Sequence, residues 1–198
     1  MLDLLSSNPL GFIILIGCLI ISIGIHEFFH AFTAYRLGDS TPKLQGRVTL
    51  NPFAHIDPLG LLLVVIAGFG WGKPVEFDIY NLRNPKRDVL LIALAGPLSN
   101  IVLAFLIHVY GSFYGLDAIL NQLLYLNLVL AAFNLIPIAP LDGFNIVTGL
   151  LPYDVAYKWR DLEPYGIFIL LFLVIFDGTK YIIYPAISIL MAFFNLLI

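Results

Sequence analysis

Charged residues are scarce in this chain: Asp, Glu, Lys and Arg make up 12% of the 198 residues, against about 25% in soluble domains. Apolar residues make up 60%. A soluble fold of this length could not bury so much apolar surface, which excludes an ordinary soluble globular protein. The few basic residues form no patch of the kind that binds nucleic acid, so we expect no nucleic-acid partner.

Cysteine is almost absent. Cys18 is the only one, and it lies within an apolar run, which excludes a disulfide framework and a zinc cluster built from thiolates. No basic residue precedes the first apolar run, so a cleaved signal peptide is not expected and the first helix should be retained. Repeats and low-complexity segments are also lacking, and we expect one membrane domain over residues 1–198.

Apolar runs separated by short polar loops are what the chain does contain. At about 1.5 Å per residue, about 20 residues cross the apolar core of a bilayer as a helix. Residues 59–70 are too few for this and are expected to form a re-entrant or partial segment. Residues 71–80 are strand-like and could form a short β-hairpin at the membrane interface. We expect crossings at residues 9–35, 88–110, 121–138, 165–176 and 181–197.

The basic residues indicate an orientation. With the N-terminus outside and residues 59–70 re-entering, nine of the ten Lys and Arg residues fall inside and Lys180 falls outside. A full crossing by residues 59–70 would move four of the nine outside. The sequence therefore predicts an all-α membrane protein, a polytopic helical bundle of about five to six transmembrane segments, which is a multi-pass protein of the cell membrane.

His26, Glu27 and His30 form an H-E-x-x-H pattern near the end of the first apolar run. Residues four apart on a helix are offset by about 40°, so the two histidines share a face and can bind one metal ion. Neutral imidazole suits zinc, and Glu27 can act as general base on the attacking water. The alternative is a pair of histidines hydrogen-bonded to neighbouring helices, with Glu27 protonated. Three ionisable groups at membrane depth argue against it.

A catalytic zinc site needs a third protein ligand, and Asp142 is the best candidate at membrane depth. Pro137 and Pro140 should end the preceding helix, and Gly143 frees the backbone, so the carboxylate lies on an irregular segment that can be directed at the metal. Such backbone is tolerated in a membrane where it is buried or lines a wet cavity. Alternatively, Asp142 caps a helix that starts near Phe144.

Taken together, these residues resemble the site-2 protease family of intramembrane zinc metalloproteases, peptidase family M50. The match is to its compact prokaryotic branch without PDZ or CBS domains, and it covers about residues 20–150. Besides H-E-x-x-H and the segment from Asn134 to Gly143, the matching motifs are Leu37-Gly38-Asp39, Gln45-Gly46-Arg47, Asn51-Pro52, His55-Ile56-Asp57-Pro58, Gly70-Trp71-Gly72-Lys73-Pro74 and Ala95-Gly96-Pro97-Leu98-Ser99-Asn100. Phe144 departs from the family pattern, where many relatives have a second glycine.

The resemblance implies one Zn²⁺ ion held by His26, His30 and Asp142, with Glu27 activating water. The substrate would be a membrane protein, cut in or near a transmembrane helix, at a site toward the cytoplasmic side. Residues 1–198 would then be a single intramembrane metalloprotease domain, with a catalytic core at about 9–150 and C-terminal helices at about 157–198. The sequence carries no signal for an oligomeric state.

Supporting roles are open for three polar residues. His55 could bind substrate or stabilise the oxyanion, or it could be an interfacial loop histidine paired with Asp57. Asn134 could hydrogen-bond an unwound substrate or brace the loop that follows it, and the resemblance favours the first. For Asn100 we favour simple hydrogen bonding between helices.

Three other functions remain compatible with parts of the pattern. A catalytically silent relative would keep the helices, yet here the set of His26, Glu27, His30 and Asp142 is complete. A zinc carrier would need polar groups along a crossing path, whereas these cluster at one depth. Another membrane metallohydrolase, such as a protease of prenylated proteins, could share H-E-x-x-H, but the segment from Asn134 to Gly143 argues against it.

Overall fold

The computed structural model describes residues 2–67 and 70–198, and the regular secondary structure of those residues is helical. An all-α protein was expected, and this is confirmed for the described residues. Two short 3-10 helices, Pro52–His55 and Ile79–Asn81, lie in the loops. The α-helices in chain order are α1 Leu2–Ser7, α2 Pro9–Leu37, α3 Thr41–Leu44, α4 Pro58–Ala67, α5 Pro85–Tyr114, α6 Ala118–Asn134, α7 Asp142–Leu150, α8 Tyr153–Arg160, α9 Glu163–Ile175 and α10 Lys180–Leu196.

Helices α2 and α5 are long and apolar enough to cross a membrane. Both start with proline in the first turn after a capping asparagine, Asn8 or Asn84, which fixes where each helix begins. Helix α2 ends at Gly38, whose φ of 119° is a left-handed conformation that only glycine adopts at little cost. The first and second expected crossings therefore have the right place and length.

The expected count of five crossings is not confirmed. By length and composition the described residues contain two spanning helices, or up to three if α9 and α10 are one bent span. Helix α6 has 17 residues and ends at Asn134. The sequence predicted that this crossing would continue to residue 138. Helices α9 and α10 are bent by 83° relative to each other, and α9, with 13 residues, is about 20 Å long, too short to cross a bilayer alone.

Helix α4 has 10 residues, as short as expected for a partial segment. Residues 68 and 69, near the end of that segment, lie outside the described residues. The β-hairpin expected over residues 71–80 is not confirmed: the described residues there are extended and irregular, with one isolated antiparallel bridge between Ile56 and Gly72. The physical reason is that Lys73 and Asp78 are anchored by loop residues rather than by a second strand: Lys73 bonds to the His55 carbonyl oxygen and to Arg47, and Asp78 bonds to Asp39.

Helices α2, α5 and α6 form the centre of the bundle, and α7 packs against α5. Small residues lie where the helices touch: Ala31 and Ala34 of α2, Ala104 of α5 and Ala131 of α6 are fully buried. Small side chains let helix backbones approach closely, which is how helices associate in a membrane. Large apolar residues such as Leu10, Ile13 and Phe113 point outward and are more than 60% exposed, as expected of side chains that face lipid.

Candidate metal centre

His26 and His30 lie one turn apart on α2, both less than 10% exposed, and their Nε2 atoms are 2.9 Å apart. The rings fit there because Gly96 of α5 has no side chain. A Cβ at that position would lie 2.3 Å from His30 Nε2 and 2.7 Å from His26 Cε1, far inside van der Waals contact. The close approach of α5 to the two imidazoles therefore requires glycine at this position.

Asp142 comes to the histidines from another part of the chain. Helix α6 ends at Asn134, an irregular loop with Pro137 and Pro140 follows, and α7 begins at Asp142 itself. One carboxylate oxygen, Oδ2, lies 3.1 Å from His26 Nε2 and 3.3 Å from His30 Nε2. Leu141 is the N-cap residue of α7 and Asp142 its first helical residue, so Asp142 does not occupy the capping position and its Oδ2 faces the histidines, contrary to the capping alternative.

The loop that carries Asp142 is folded tightly against the start of α7. A Cβ on Gly143 would lie 2.4 Å from the carbonyl oxygens of both Leu135 and Ile136, so glycine is needed next to the carboxylate. From the other side, Gly166 of α9 rests on Ala139, where a Cβ would lie 2.3 Å from the carbonyl oxygen. The loop is thus confined between α7 and α9, which holds the carboxylate in place.

The second nitrogen of each imidazole is already bonded. Nδ1 of His30 lies 2.7 Å from the Ile92 carbonyl oxygen, which can only accept, so it carries the proton and Nε2 has the lone pair. Nδ1 of His26 lies 2.7 Å from Oδ1 of Asn100. Oδ2 of Asp142 is buried without a hydrogen-bond donor among the described residues. Three electron-pair donors therefore converge on one point.

Converging donors of this kind fit a zinc ion. Two ligand atoms on one tetrahedral zinc stand about 3.3 Å apart at bond lengths of about 2.0 to 2.1 Å, and the three observed separations are 2.9, 3.1 and 3.3 Å. His26, His30 and Asp142 are the group of described residues that could hold a metal ion. Without a cation, three lone pairs would repel each other in a buried, apolar setting. Two imidazoles and one carboxylate also match the donor types that zinc prefers in catalytic sites.

Glu27 follows His26 on α2, and its carboxylate borders the same cavity. The nearest cation is Arg47, whose Nη2 lies 4.0 Å from Glu27 Oε2. Burial lowers the pKa of the Arg47 guanidinium, while the carboxylates of Glu27 and Glu76 act in the opposite direction. Arg47 also donates to the carbonyl oxygens of Ala54, at 2.9 Å, and Lys73. Arg47 thereby ties the segment after α4 to the loop after α3, next to Glu27.

A cavity of about 490 Å³ opens beside these residues. Its lining is mainly apolar, with Ile23, Val89 and Ile92 on the bundle side and Ile167 and Leu170 of α9 on the other. Asn134 and Asn145 add two side-chain amides to the wall. The extended residues 70–77 close a third side, through Trp71, Gly72, Pro74, Val75 and Phe77. A cavity of this volume has room for a short stretch of peptide.

The extended segment is held at both ends by buried groups. Lys73 N–H donates to the His55 carbonyl oxygen at 2.8 Å, and Asp78 N–H donates to Asp39 Oδ2 at 2.8 Å. Asp39 is fully buried. Burial raises the pKa of its carboxyl group, but the hydrogen bonds that Asp39 accepts from Thr41, Asn81 and Asp78 outweigh this and hold that pKa below its usual value. The segment is therefore fixed over the cavity.

His55 and Asn134, the two supporting candidates from the sequence, are placed differently. Asn134 lines the cavity, and its amide donates to the Leu130 carbonyl oxygen of its own helix at 2.9 Å. His55 is fully buried and donates from Nε2 to the Thr49 carbonyl oxygen at 2.9 Å. It borders a separate cavity of about 20 Å³, and burial lowers its pKa, which keeps it neutral. Asp57 caps α4 instead of pairing with it, by accepting from Leu59 N and Gly60 N.

Sequence reasoning missed several residues around the centre. Ser22 and Asn127 are fully buried and join Asn100 in a hydrogen-bonded chain that ends on His26. Asn145 lines the cavity, and its side-chain amide makes no hydrogen bond to any residue that the structure describes. The available signal was polarity: Ser22, Asn100 and Asn127 each interrupt an apolar run, and intramembrane polar residues are seldom placed there without a partner.

Comparison with known proteins gives several relatives by sequence. The chain is 40% identical over 187 residues to "Putative zinc metalloprotease YwhC" of Bacillus subtilis, a match that covers 88% of this chain and 85% of that protein. It is 34% identical over 176 residues to "Putative zinc metalloprotease Rip2" of Mycobacterium tuberculosis, covering 83% of this chain and 66% of Rip2. Zinc metalloprotease MJ0392 of Methanocaldococcus jannaschii is 26% identical over 155 residues, which are 76% of this chain and 38% of that protein. No protein-family model and no solved structure matches the chain.

Proposed function

Because the chain belongs to the site-2 protease family of zinc metalloproteases, we propose that it hydrolyses a peptide bond in or near the transmembrane segment of a membrane protein. The observation that carries this proposal is the meeting of His26 Nε2, His30 Nε2 and Asp142 Oδ2 within 3.3 Å of one another. That group lies beside Glu27 in a largely apolar cavity of a bundle with membrane-spanning helices.

The zinc ligands in this proposal are His26, His30 and Asp142. When bound, zinc supplies a Lewis acid that makes water more acidic and polarises a carbonyl group. Three protein ligands leave a fourth position for water or substrate, which is the arrangement of catalytic rather than structural zinc. The cavity next to the three donor atoms provides the room for that fourth partner.

Glu27 is the proposed general base and acid. Its carboxylate takes a proton from the attacking water and later passes it to the nitrogen of the leaving amine. Because Glu27 is 14% exposed, it is in contact with the cavity and yet shielded from bulk solvent.

We further propose that the protein is a single-domain, multi-pass protein of the cell membrane with its site toward the cytoplasm. With the N-terminus outside, crossings by α2, α5 and α6 and a partial segment at α4 place nine of the ten basic residues on one side, all except Lys180. The residues proposed for catalysis lie in the second half of α2 and at the start of α7. Arg47, on the side that the positive-inside rule assigns to the cytoplasm, lies 4.0 Å from Glu27.

A helical substrate must unwind before its carbonyl groups can react, and residues 70–77 are the proposed partner of the unwound strand. Val75, Glu76 and Phe77 have no regular secondary structure, and their backbone N–H groups donate to none of the described residues. Free backbone groups along a cavity wall can pair with an extended peptide as an added strand. The amides of Asn134 and Asn145 provide further hydrogen-bonding groups for the substrate backbone.

The decisive experiment compares cells that carry the native chain, Glu27→Gln or His26→Ala. Glu27→Gln should retain zinc and lower cleavage by about 10² to 10⁴-fold, the usual contribution of general acid and base catalysis, so that a membrane protein accumulates uncut in the membrane proteome. His26→Ala should lose both zinc and cleavage. A zinc carrier would be unaffected by Glu27→Gln, and a silent relative would show no substrate difference with either variant. Either result would overturn the proposed function.

A further inference from the structure

A chain of buried side chains connects His26 to the backbones of α2 and α6. We propose that Asn100 and Asn127 are positioning residues that fix the proton of His26 on Nδ1 and thereby keep Nε2 free to bind zinc. The inference rests on the proposed function, in which His26 is a zinc ligand. It assigns to Asn100 more than the simple contact between helices that the sequence suggested.

The direction of the hydrogen bonds in this series of side chains is set at the end away from His26. There the acceptors are backbone carbonyl groups, which can only accept hydrogen bonds. The side-chain nitrogen of Asn127 lies 2.8 Å from the Leu123 carbonyl oxygen and 2.9 Å from Ser22 Oγ. Ser22 Oγ in turn donates to the Cys18 carbonyl oxygen at 2.8 Å. If the amide of Asn127 were reversed, its oxygen would face the Leu123 carbonyl oxygen, so the nitrogen must point there.

The next link follows from the first. With its nitrogen used in this way, Asn127 presents Oδ1 to Asn100, and the atom of Asn100 at 2.7 Å from it must be the amide nitrogen. The same nitrogen lies 3.2 Å from the Ser22 carbonyl oxygen, a second acceptor. Asn100 therefore turns Oδ1 toward His26. At 2.7 Å from that oxygen, His26 Nδ1 has to carry a proton.

In the alternative tautomer of His26 the proton is on Nε2, where it also finds an acceptor. The hydrogen-bonded side chains are therefore needed to hold the proton on Nδ1. Asp142 Oδ2 lies 3.1 Å from His26 Nε2 and would accept a proton placed there. That tautomer would remove the Nε2 lone pair from the metal site. In the described structure the acceptor at Nδ1 is 0.4 Å closer than the one at Nε2. The orientation of that acceptor, Asn100 Oδ1, is fixed by the two hydrogen bonds that the Asn100 nitrogen donates to Asn127 Oδ1 and to the Ser22 carbonyl oxygen. A hydrogen-bond acceptor at the ring nitrogen that does not bind the metal fixes the tautomer of a metal-binding histidine.

The two histidines differ in how they are held. His30 donates from Nδ1 to a backbone carbonyl, Ile92, which no side-chain substitution removes. His26 depends on side chains alone. Asn100, Asn127 and Ser22 are all fully buried, so water does not replace a lost partner easily. A substitution of Asn100, Asn127 or Ser22 should therefore affect the tautomer of His26 and leave that of His30 unchanged.

The test combines zinc affinity with ¹⁵N NMR of histidine-labelled protein in detergent micelles. In the wild type, Nδ1 of His26 should be protonated both with zinc and after its removal. Asn100→Leu should lower zinc affinity by about 10 to 100-fold, the range for loss of the residue that hydrogen-bonds to a metal-binding histidine. In the metal-free variant the proton of His26 should move toward Nε2, while His30 keeps its proton on Nδ1. Ser99→Ala is the matched control, because Ser99 is buried beside Asn100 and its hydroxyl donates to the Gly96 carbonyl oxygen of its own helix.

The outcomes separate this inference from the proposed function. If His26→Ala loses zinc but Asn100→Leu binds zinc within about threefold of the wild type and leaves His26 Nδ1 protonated, the positioning role is wrong and the zinc site stands. If His26→Ala keeps its zinc, the proposed function itself fails. Should Asn100→Leu not fold, Asn127→Leu takes its place with a loss of several fold expected. An unprotonated Nδ1 in the wild type would overturn the inference without any variant.

Discussion

Gly96→Ala offers a sharp test of the metal centre because the change is one methyl group. The added Cβ would lie 2.3 Å from His30 Nε2, 2.6 Å from His30 Cε1 and 2.7 Å from His26 Cε1. Nonbonded heavy atoms stand at least about 3.4 Å apart, so the His30 ring or the backbone of α5 must retreat by about 1 Å. Zinc bond lengths tolerate about 0.2 Å. We therefore expect zinc affinity to fall by about 100-fold or more, equivalent to about 2.7 kcal/mol.

Retreat of α5 would not rescue the site, since α5 also carries Asn100, whose bond to His26 is 2.7 Å long. Zinc affinity is measured by competition with a chromophoric chelator in detergent, and helix content by circular dichroism. Gly17→Ala is the matched control: it makes the same change within α2, where a Cβ would meet nothing within 4 Å. If Gly96→Ala bound zinc within about threefold of Gly17→Ala, the close packing of both rings on α5 would be refuted.

Two further predictions concern the extended segment and its anchor. Val75→Pro removes a backbone N–H that borders the cavity and should lower cleavage at least about tenfold with zinc content intact. The control is Val75→Ala, which keeps the N–H. Equal cleavage by the two variants would count against strand addition. Asp39→Asn should destabilise the protein by about 2 kcal/mol, because a carboxylate that accepts several hydrogen bonds is lost. Since the pKa of Asp39 is lowered in the folded state, its stabilisation is present above the unfolded pKa of about 3.9 and is lost as the pH falls below that value. Thermal unfolding from pH 3 to 8 should show the wild-type advantage shrinking on acidification, and an advantage that grows in acid would contradict the assignment.

The fold could be predicted where the signals are local. An asparagine followed by a proline marks the start of both long helices, and uninterrupted apolar runs give their length. The crossing count could not be obtained in this way, because whether α9 and α10 form one bent span depends on packing. The hairpin prediction had the same weakness: residues 71–80 have strand-like composition, but their neighbours in space are Arg47, His55 and Asp39 rather than another strand.

The candidate site could be predicted in its central part. H-E-x-x-H fixes two donors by helix geometry alone, and the loop with Pro137, Pro140 and Gly143 singled out Asp142, which the structure brings to both histidines. The roles of the zinc ligands and of Glu27 stay predictions until they are tested. Asn127 and Gly96 could not be assigned from sequence, because their importance lies in contacts with residues far away in the chain.

The separation of Asp142 from the two histidines bears on how the protein is made. More than half of the chain lies between them, so α2 leaves the ribosome and enters the membrane long before α7 has been synthesised. Until α7 packs against α5, the histidines lack their carboxylate partner. Under the proposed ligand assignment, the nascent chain has no complete zinc site during insertion. Under the same proposal, a newly made chain cannot hydrolyse a peptide bond until Asp142 has been synthesised and has reached the histidines.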